Sequence, residues 1–326
     1  MKLLILNRRE VRNLLPMRTC MDILSKTFQA YSKGTSVQPL RTMMKLKNEN
    51  ILGSMPAYEG NSNALAVKLI SIFHNEAKTN FDSHQGLVVL FSAKHGNPLA
   101  IMDAIEITAL RTAAASGVAT ELLANHETNT LAILGSGVQA RSHFLAMNEA
   151  RPISSVYIWS RSLENANILA KELSDASSIE INVSKTAELA VKNANLICTV
   201  TATRKPILKG EWLTPGSHLN AVGSSSSTTR EIDSEAVVKS KMFVDSRESA
   251  LNEAGEFIIP ASEGLINETH ILGELGEVLE GEVSGRIHQD EITLFKSLGM
   301  AVEDVATAQH IYNTALKKDK GVWIDI

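Results

Sequence analysis

The feature that most constrains this chain is a glycine-rich turn between a buried-strand pattern and a helical pattern. Residues 131–134 are all apolar, as in a strand of a parallel sheet, and the turn GSGVQA follows at residues 135–140. Apolar side chains then recur at helical spacing through residue 147. This order matches the G-x-G-x-x-A fingerprint, in which backbone amides at a helix start hold a pyrophosphate. The sequence therefore predicts a dinucleotide-binding α/β domain, with cofactor contacts from Gly135, Gly137, Val138, Gln139 and Ala140.

The bulk composition excludes several classes of protein. With 326 residues the chain can form two domains and a large core, and its formal charge of -4 offers no basic surface for nucleic acid. No apolar run approaches the roughly 20 residues that span a bilayer. Cys20 and Cys198 lack the spacing of a metal or redox motif. We therefore expect buried thiols in a cytoplasmic protein that has no metal site and binds neither nucleic acid nor membrane.

Two regions with different patterns flank the glycine turn. Downstream, strand and helix patterns alternate to about residue 246, which predicts a doubly wound parallel sheet. Upstream, strand-like segments precede an Ala-rich helix, which predicts an α+β domain. The strand-like segments span residues 38–46, 51–55, 65–73, 86–92 and 99–102, and the helix spans residues 104–124. The pattern over residues 295–318 predicts a long amphipathic helix that packs back on the first domain.

A series of segments resembles, in the same order, the ornithine cyclodeaminase/mu-crystallin family. These segments are residues 55–60, 67–73, 83–124, 131–140, 244–257 and 294–306, so the resemblance extends over nearly the whole chain. The family consists of nicotinamide-dependent enzymes that act on amino acids through imine intermediates. The resemblance implies a homodimer with a substrate-binding and dimerisation domain at residues 1–120 plus 305–326. It also implies a Rossmann NAD(P)-binding domain at residues 121–304.

Three cations match the positions that bind the substrate carboxylate in that family. Arg41 and Lys68 lie in predicted strands, and Arg111 lies in the Ala-rich helix among small and apolar neighbours. Arginine suits a carboxylate because its guanidinium binds both oxygens at once. Lys68 is also a candidate for proton transfer to an imine nitrogen, because partial burial lowers a lysine pKa. From the residues alone, the alternative is that Arg41 and Lys68 are solvated strand residues and that Arg111 bridges a domain interface.

The second strand of the cofactor domain predicts which dinucleotide is bound. In NAD enzymes this strand usually ends in a carboxylate that binds the ribose 2′-OH. Here it runs into Ser160, Arg161 and Ser162, which favours NADPH over NADH unless Arg161 is simply a surface charge. The resemblance implies further cofactor contacts at later strand ends, from Thr199, Thr201, Val222, Gly223, Ser297 and Gly299.

The position two residues after the fifth-strand glycine, Gly223, distinguishes branches of the family. Cyclodeaminases place an aspartate there in a G-x-D context, whereas this chain has Ser225. They also carry an acidic residue in the strand before Met55, where this chain has Gly53 and Ser54. Both departures argue against ornithine cyclisation and resemble the imino-acid reductase branch. Ser225 would hydrogen-bond the imine nitrogen directly or through water, or it would merely cap its loop.

The sequence thus predicts an NADPH-dependent reductase of small cyclic ketimines. Reduction of 1-pyrroline-2-carboxylate or 1-piperideine-2-carboxylate would give L-proline or L-pipecolate. Two alternatives on the same fold are alanine dehydrogenase and ornithine cyclodeaminase. An alternative of another class is an NADPH-dependent small-ligand binding protein of mu-crystallin type.

Overall fold

The computed structural model describes residues 2–73 and 81–326, and the chain divides into two compact units. The N-terminal unit comprises Met1–Arg111 and Gly299–Ile326, and the central unit comprises Thr112–Leu298. The domain limits expected from the sequence, 120/121 and 304/305, lie a few residues further along the chain.

The strands of the described residues form two sheets, one in each unit. In chain order they are β1 (Lys2–Leu6), β2 (Thr42–Lys45), β3 (Ile51–Glu59), β4 (Ala64–Ile72), β5 (His84–Ser92), β6 (Pro98–Asp103), β7 (Thr130–Leu134), β8 (Ser155–Trp159), β9 (Glu180–Val183), β10 (Leu196–Thr199), β11 (His218–Ala221), β12 (Ser240–Val244), β13 (Ile271–Glu274), β14 (Ile292–Lys296) and β15 (Val322–Asp325).

The α-helices connect these strands and cover parts of the sheets. They are α1 (Arg8–Leu14), α2 (Met17–Ser32), α3 (Ala104–Leu123), α4 (Val138–Ala150), α5 (Leu163–Ala176), α6 (Ala187–Lys192), α7 (Ser234–Lys239), α8 (Arg247–Glu253), α9 (Gly255–Ser262), α10 (Leu275–Glu280) and α11 (Ala301–Lys318). No helix of the described residues combines the length and apolar character that a membrane span requires.

The N-terminal unit is built on a seven-stranded mixed sheet in the order β15-β1-β6-β5-β4-β3-β2. Helix α11 packs against β3, β4, β5 and α2, which is the predicted return of the C-terminal helix to the first domain. Alternate residues of the central strands point toward this helical layer and are buried, including Ala66, Lys68 and Val88. The opposite face of the same strands is partly exposed.

The central unit is an eight-stranded parallel sheet in the order β13-β12-β14-β11-β10-β7-β8-β9. The apolar side chains of its central strands are inaccessible to solvent, among them Leu131, Ile133 and Ile197. The strand order reverses beside β7, so β7 and β10 meet at the switch point where open α/β sheets bind ligands. The predicted doubly wound α/β fold is confirmed, although β13 and β14 extend the sheet beyond residue 246.

Two predicted elements have different limits in the structure. The C-terminal helix begins at Ala301 rather than at residue 295, because Phe295 and Lys296 pair with β11 and β12 as the end of β14. The strand predicted over residues 38–46 shrinks to β2, so Arg41 lies just before the strand and not within it. Pro39 has no N–H to donate to a ladder, which disfavours an earlier strand start.

Candidate active site

Lys68 is a buried cation in the sheet of the N-terminal unit. Its position in β4 turns the side chain toward α11, where Nζ lies 2.7 Å from Asp304 Oδ2 and only 2% of the residue is exposed. Burial lowers the Lys68 pKa to about 8; attraction to Asp304 opposes this shift, and the positive charges of Arg111 and Arg41 add to it. Lys68 is therefore not the solvated strand residue of the alternative interpretation, and its ammonium can lose a proton near neutral pH.

Arg111 is held by two carboxylates of α11. Its Nε donates to Asp304 Oδ1 at 3.1 Å and its Nη1 donates to Glu303 Oε2 at 2.9 Å. Arg111 is 5% exposed, and two buried carboxylates compensate the cost of burying its charge. These bonds use two of its five N–H donors and fix the plane of the guanidinium.

Gly299 completes this cluster. Its φ of +80° lies in the left-handed region, and a side chain there would collide with the Arg111 guanidinium. The Gly299 carbonyl accepts a hydrogen bond from Arg41 Nη2 at 3.2 Å. The structure thus brings Arg41, Lys68 and Arg111 together around Gly299 and Asp304.

Sequence reasoning missed Glu303 and Asp304. Both are buried, at 0% and 1% exposure, in the first turns of α11, where every residue from Ala301 to Ala308 is buried. Two adjacent acids within a stretch of otherwise small and apolar helix residues are a signal that buried cations lie against them. The sequence contains this pattern but does not reveal which cations pair with the acids.

The glycine turn of the central unit has the geometry that a dinucleotide phosphate requires. Gly135 has φ +134°, and a Cβ there would lie 2.7 Å from the Val200 carbonyl oxygen. Gly137 is the N-cap of α4 and has open space where a Cβ would point; no side chain caps this helix and its first turn has no acid. Ala140 is fully buried, which permits close packing of α4. The uncapped amides and the open space fit a pyrophosphate at this helix start.

The turn after β8 contains no carboxylate. Ser160 Oγ lies 2.8 Å from Ser136 Oγ, so this turn meets the glycine turn directly. Ser162 caps α5 by accepting the Asn165 N–H, and Arg161 is exposed. Arg161 is the one cation among these three predicted contacts, and its exposure leaves it accessible to a 2′-phosphate.

The carboxyl ends of β10 and β11 are joined by a carboxylate that sequence reasoning did not find. The Thr199 and Thr201 hydroxyls both donate to Glu231, and the Gly223 amide does the same. The resemblance implies that Thr199 and Thr201 contact the cofactor, but their hydroxyls already donate to Glu231. Thr199 is 1% exposed and Val222 is 9% exposed, so the predicted contacts from these two side chains are limited by their burial.

The remaining predicted residues lie in different surroundings. Ser225 is exposed in the loop after β11, where the bonds to Thr229 are made by its neighbour Ser224. Ser297 is 2% exposed, and its amide donates to the Ala221 carbonyl at 3.1 Å. Gly299, predicted to contact the cofactor, lies against Arg111 in the N-terminal unit.

Comparisons with known proteins show the family to which the chain is similar. Residues 1–319 match the ornithine cyclodeaminase/mu-crystallin family. The ketimine reductase mu-crystallin of Mus musculus is 40% identical over 288 residues, which cover 87% of this chain and 88% of that protein.

Two solved structures superpose on nearly the entire chain. Thermococcus litoralis Delta(1)-pyrroline-2-carboxylate reductase, in complex with NADH and L-proline, is 39% identical with a TM-score of 0.95, covering 98% of this chain and 99% of that one. An archaeal alanine dehydrogenase dimer with bound NAD is 31% identical with a TM-score of 0.94, covering 100% of each chain. The chain belongs to the ornithine cyclodeaminase/mu-crystallin family.

Proposed function

We propose that this protein is a nicotinamide-dependent reductase of small cyclic ketimines that carry a carboxylate. Its substrate is 1-pyrroline-2-carboxylate or 1-piperideine-2-carboxylate, and its product is L-proline or L-pipecolate. The observation that carries the proposal is the cation cluster in which the buried Lys68 and Arg111 bind Asp304 and the half-buried Arg41 binds the adjoining Gly299. Relatives named as ketimine and pyrroline-2-carboxylate reductases support the same chemistry.

The cation cluster binds the substrate carboxylate. Arg111 presents its remaining N–H donors from a guanidinium whose orientation is fixed by Glu303 and Asp304. Charge-assisted bonds from a guanidinium are strong and directional, so the carboxylate also sets the orientation of the attached C=N bond. Arg41, fixed at the Gly299 carbonyl, and Lys68 add positive charge at the same place.

Lys68 supplies the proton that the reaction consumes. A reduced nicotinamide, when bound, supplies hydride to the imine carbon. The ring nitrogen then gains the C=N electron pair and needs a proton, which the Lys68 ammonium donates, directly or by protonating the imine first. A pKa of about 8 suits this role because the ammonium predominates at neutral pH yet releases its proton readily. Asp304 keeps the ammonium in place.

Ser225 contributes a hydrogen bond to the imine nitrogen, directly or through water. Its exposure supports this role, since the loop-bridging bonds belong to Ser224. A serine hydroxyl does not act as a carboxylate base near neutral pH, which disfavours ornithine cyclisation. We keep alanine dehydrogenase as the second candidate because a relative of that name matches the chain over its full length.

NADPH is the proposed cofactor, held at the α4 start with Arg161 on the 2′-phosphate. The exposed guanidinium and the absence of a carboxylate in residues 160–162 support this choice. The Thermococcus litoralis enzyme was solved with NADH, so the two cofactors need direct comparison.

The protein is further proposed to act as a homodimer. The exposed face of the N-terminal sheet is apolar: register places Leu65 beside Phe91, Val67 beside Val89 and Leu69 beside Leu87. Leu69 and Leu87 are 41% and 48% exposed, and an apolar sheet face of this kind is typical of a subunit interface. The alanine dehydrogenase relative is described as a dimer.

A cytoplasmic location is proposed on the state of the cysteines. Cys20 and Cys198 are both free and buried. Burial raises the pKa of the Cys198 thiol to about 12, so this thiol remains protonated and unreactive. Unreactive free thiols are compatible with a reducing compartment.

A substrate panel tests the proposed function. The purified protein is assayed with both cyclic imines, with pyruvate plus ammonia, with alanine and with ornithine, each with NADPH or NADH and their oxidised forms. We expect the highest kcat/KM for a cyclic imine with NADPH. Ammonia release from ornithine or a higher kcat/KM for pyruvate plus ammonia would overturn the assignment, and a preference for NADH would overturn the cofactor choice. No turnover with any substrate would favour the binding protein.

A further inference from the structure

Glu231 accepts four hydrogen bonds from the ends of two neighbouring strands. Its Oε2 accepts from Thr199 Oγ1 at 2.7 Å and from the Gly223 amide at 2.6 Å. Its Oε1 accepts from the Thr201 amide at 2.7 Å and from Thr201 Oγ1 at 2.6 Å. One carboxylate thus ties the segment after β10 to the segment after β11.

The approach of these two segments depends on this carboxylate and on a glycine. A Cβ at Gly223 would lie 2.6 Å from both Glu231 Oε1 and the Thr201 amide nitrogen, closer than side chains are found. Without Glu231, the half-buried Thr201 amide would lose its carboxylate acceptor, and the Gly223 amide would keep only its bond to the Thr199 carbonyl. The segments would then separate or admit water.

A second buried layer fixes Glu231 itself. The Glu231 amide donates to Glu256 Oε1 at 2.9 Å, and Glu256 Oε2 lies 3.0 Å from Lys296 Nζ. Lys296 Nζ also donates to the Ser224 carbonyl oxygen at 2.6 Å. Glu231, Glu256 and Lys296 are all 0% exposed. The network therefore extends from β10 through β11 to β14, three adjacent strands of the parallel sheet.

The location of the network gives it a role beyond stability. Buried charges are expensive, and apolar residues of similar size often replace them without loss of stability. This network lies at the carboxyl edge of the sheet, where open α/β folds bind their ligands. The glycine turn after β7 holds the phosphates, and β10 and β11 lie on the opposite side of β7 from β8 and Arg161. A dinucleotide whose 2′-phosphate half lies toward β8 and Arg161 would have its nicotinamide half on the side of β10 and β11. The strand ends that Glu231 joins lie on that side.

We propose that Glu231 is a positioning residue for the nicotinamide half of the cofactor. It fixes the backbone at Thr201, Gly223 and Ser224, supported by Glu256 and Lys296. The inference rests on the proposed cofactor binding. It adds Glu231, a residue that the proposed function does not use.

The test compares a whole cofactor with a fragment that lacks nicotinamide. Dissociation constants are measured by titration for NADPH and for adenosine 2′,5′-bisphosphate, and in parallel for NADH and ADP, with wild type and Glu231→Gln. The amide keeps the shape of the side chain but replaces one acceptor with a donor. We expect NADPH or NADH to bind at least about tenfold more weakly to Glu231→Gln, with binding of the fragments unchanged.

Asp233→Asn is the matched control. Asp233 lies two residues away and also accepts two backbone amides, from Gly210 and Ala236, but it caps α7 and has no bond to β10 or β11. We expect a lower Tm and no change in binding of either ligand. Should Glu231→Gln fail to fold, Thr201→Val replaces it, with a smaller loss expected for the whole cofactor only.

The outcomes separate the two proposals. Equal weakening of cofactor and fragment, or a lower Tm with binding of both unchanged, would overturn the positioning role and leave the proposed function intact. Absence of NADPH and NADH binding to the wild-type protein would overturn the proposed function, and the inference with it.

Discussion

The buried charges of Lys68 and Arg111 are compensated by carboxylates that lie more than 190 positions away in the chain. Each is nearly inaccessible to solvent, and each has a carboxylate partner from the first turn of α11. Burial alone would drive Lys68 toward the neutral form, and the Asp304 charge restores enough stability to the ammonium to leave its pKa near 8. A cation with this pKa both attracts a carboxylate and exchanges a proton.

Substitution of Lys68 tests its role in proton transfer. If the ammonium is the proton donor, kcat of the wild-type enzyme is constant at low pH and falls as the pH rises through about 8, because the donor form is lost. Lys68→Met should lower kcat by about 10²- to 10⁴-fold and abolish this basic limb of the pH profile.

Lys45→Met provides the control, since Lys45 is an exposed lysine of the same sheet. It should retain both kcat and the pH profile of the wild type. Full turnover by Lys68→Met would exclude the proton-donor role. A basic limb that persists in Lys68→Met would instead belong to the imine nitrogen of the substrate.

At the scale of elements, the connection between β14 and α11 forms part of the candidate site. β14 ends at Lys296, α11 begins at Ala301, and Gly299 lies between them with a positive φ. The first turn of α11 then presents Glu303 and Asp304 to the cations. This short connection thus places Gly299 against Arg111 and Arg41, directly before the two acids of α11.

Gly299→Ala should weaken substrate binding. A Cβ there would press on the Arg111 guanidinium and would also strain the positive φ. We expect the KM for the imine to rise at least about tenfold, as expected for loss of one charged hydrogen bond, with the KM for NADPH unchanged.

Gly264→Ala is the control, because Gly264 has φ +74° and open space at its Cβ position. It measures the cost of the positive φ without a collision, so both KM values should stay constant while Tm falls slightly. A rise in the KM for NADPH alone in Gly299→Ala would return Gly299 to the cofactor, as the sequence resemblance implied.

Elements with a local signal could be predicted from the sequence, and those defined by distant partners could not. The glycine turn, β7 and β8 follow from residues adjacent in the chain, and the structure places them as expected. β14 was missed because the apolar residues Leu294 and Phe295 also fit the helical pattern that continues into α11. The partners of Lys68 and the bonds of Glu231 were missed for another reason: they depend on side-chain contacts that only the tertiary fold creates.

At the scale of the whole molecule, the two units have separate proposed tasks. The N-terminal unit contains the cation cluster, and the central unit contains the glycine turn and the strand ends joined by Glu231. The N-terminal sheet also has two different faces: one is buried under α11, and the other exposes apolar side chains. This asymmetry is the physical basis for the proposed homodimer.

Leu87→Asp should disrupt that dimer. A charge placed on the apolar face would be desolvated in the interface without a partner, so the protein should become monomeric at micromolar concentration. Light scattering during gel filtration measures the mass directly.

Leu265→Asp is the matching variant, because Leu265 is 54% exposed on the central unit. It should remain dimeric. A wild-type protein that is monomeric throughout the concentration range, or a Leu87→Asp variant that stays dimeric, would contradict the assignment of this face.

The central claim is that the cluster of Arg41, Lys68 and Arg111 recognises a carboxylate attached to the imine. Its most direct test compares kcat/KM for 1-pyrroline-2-carboxylate and for 1-pyrroline, which lacks the carboxylate, in wild type, Arg41→Met and the exposed-surface control Arg9→Met. We predict that wild type and Arg9→Met share one preference for the carboxylated imine, and that Arg41→Met reduces this preference at least about tenfold without slowing the reduction of 1-pyrroline. An equal loss on both imines, or an unchanged preference in Arg41→Met, would contradict the claim.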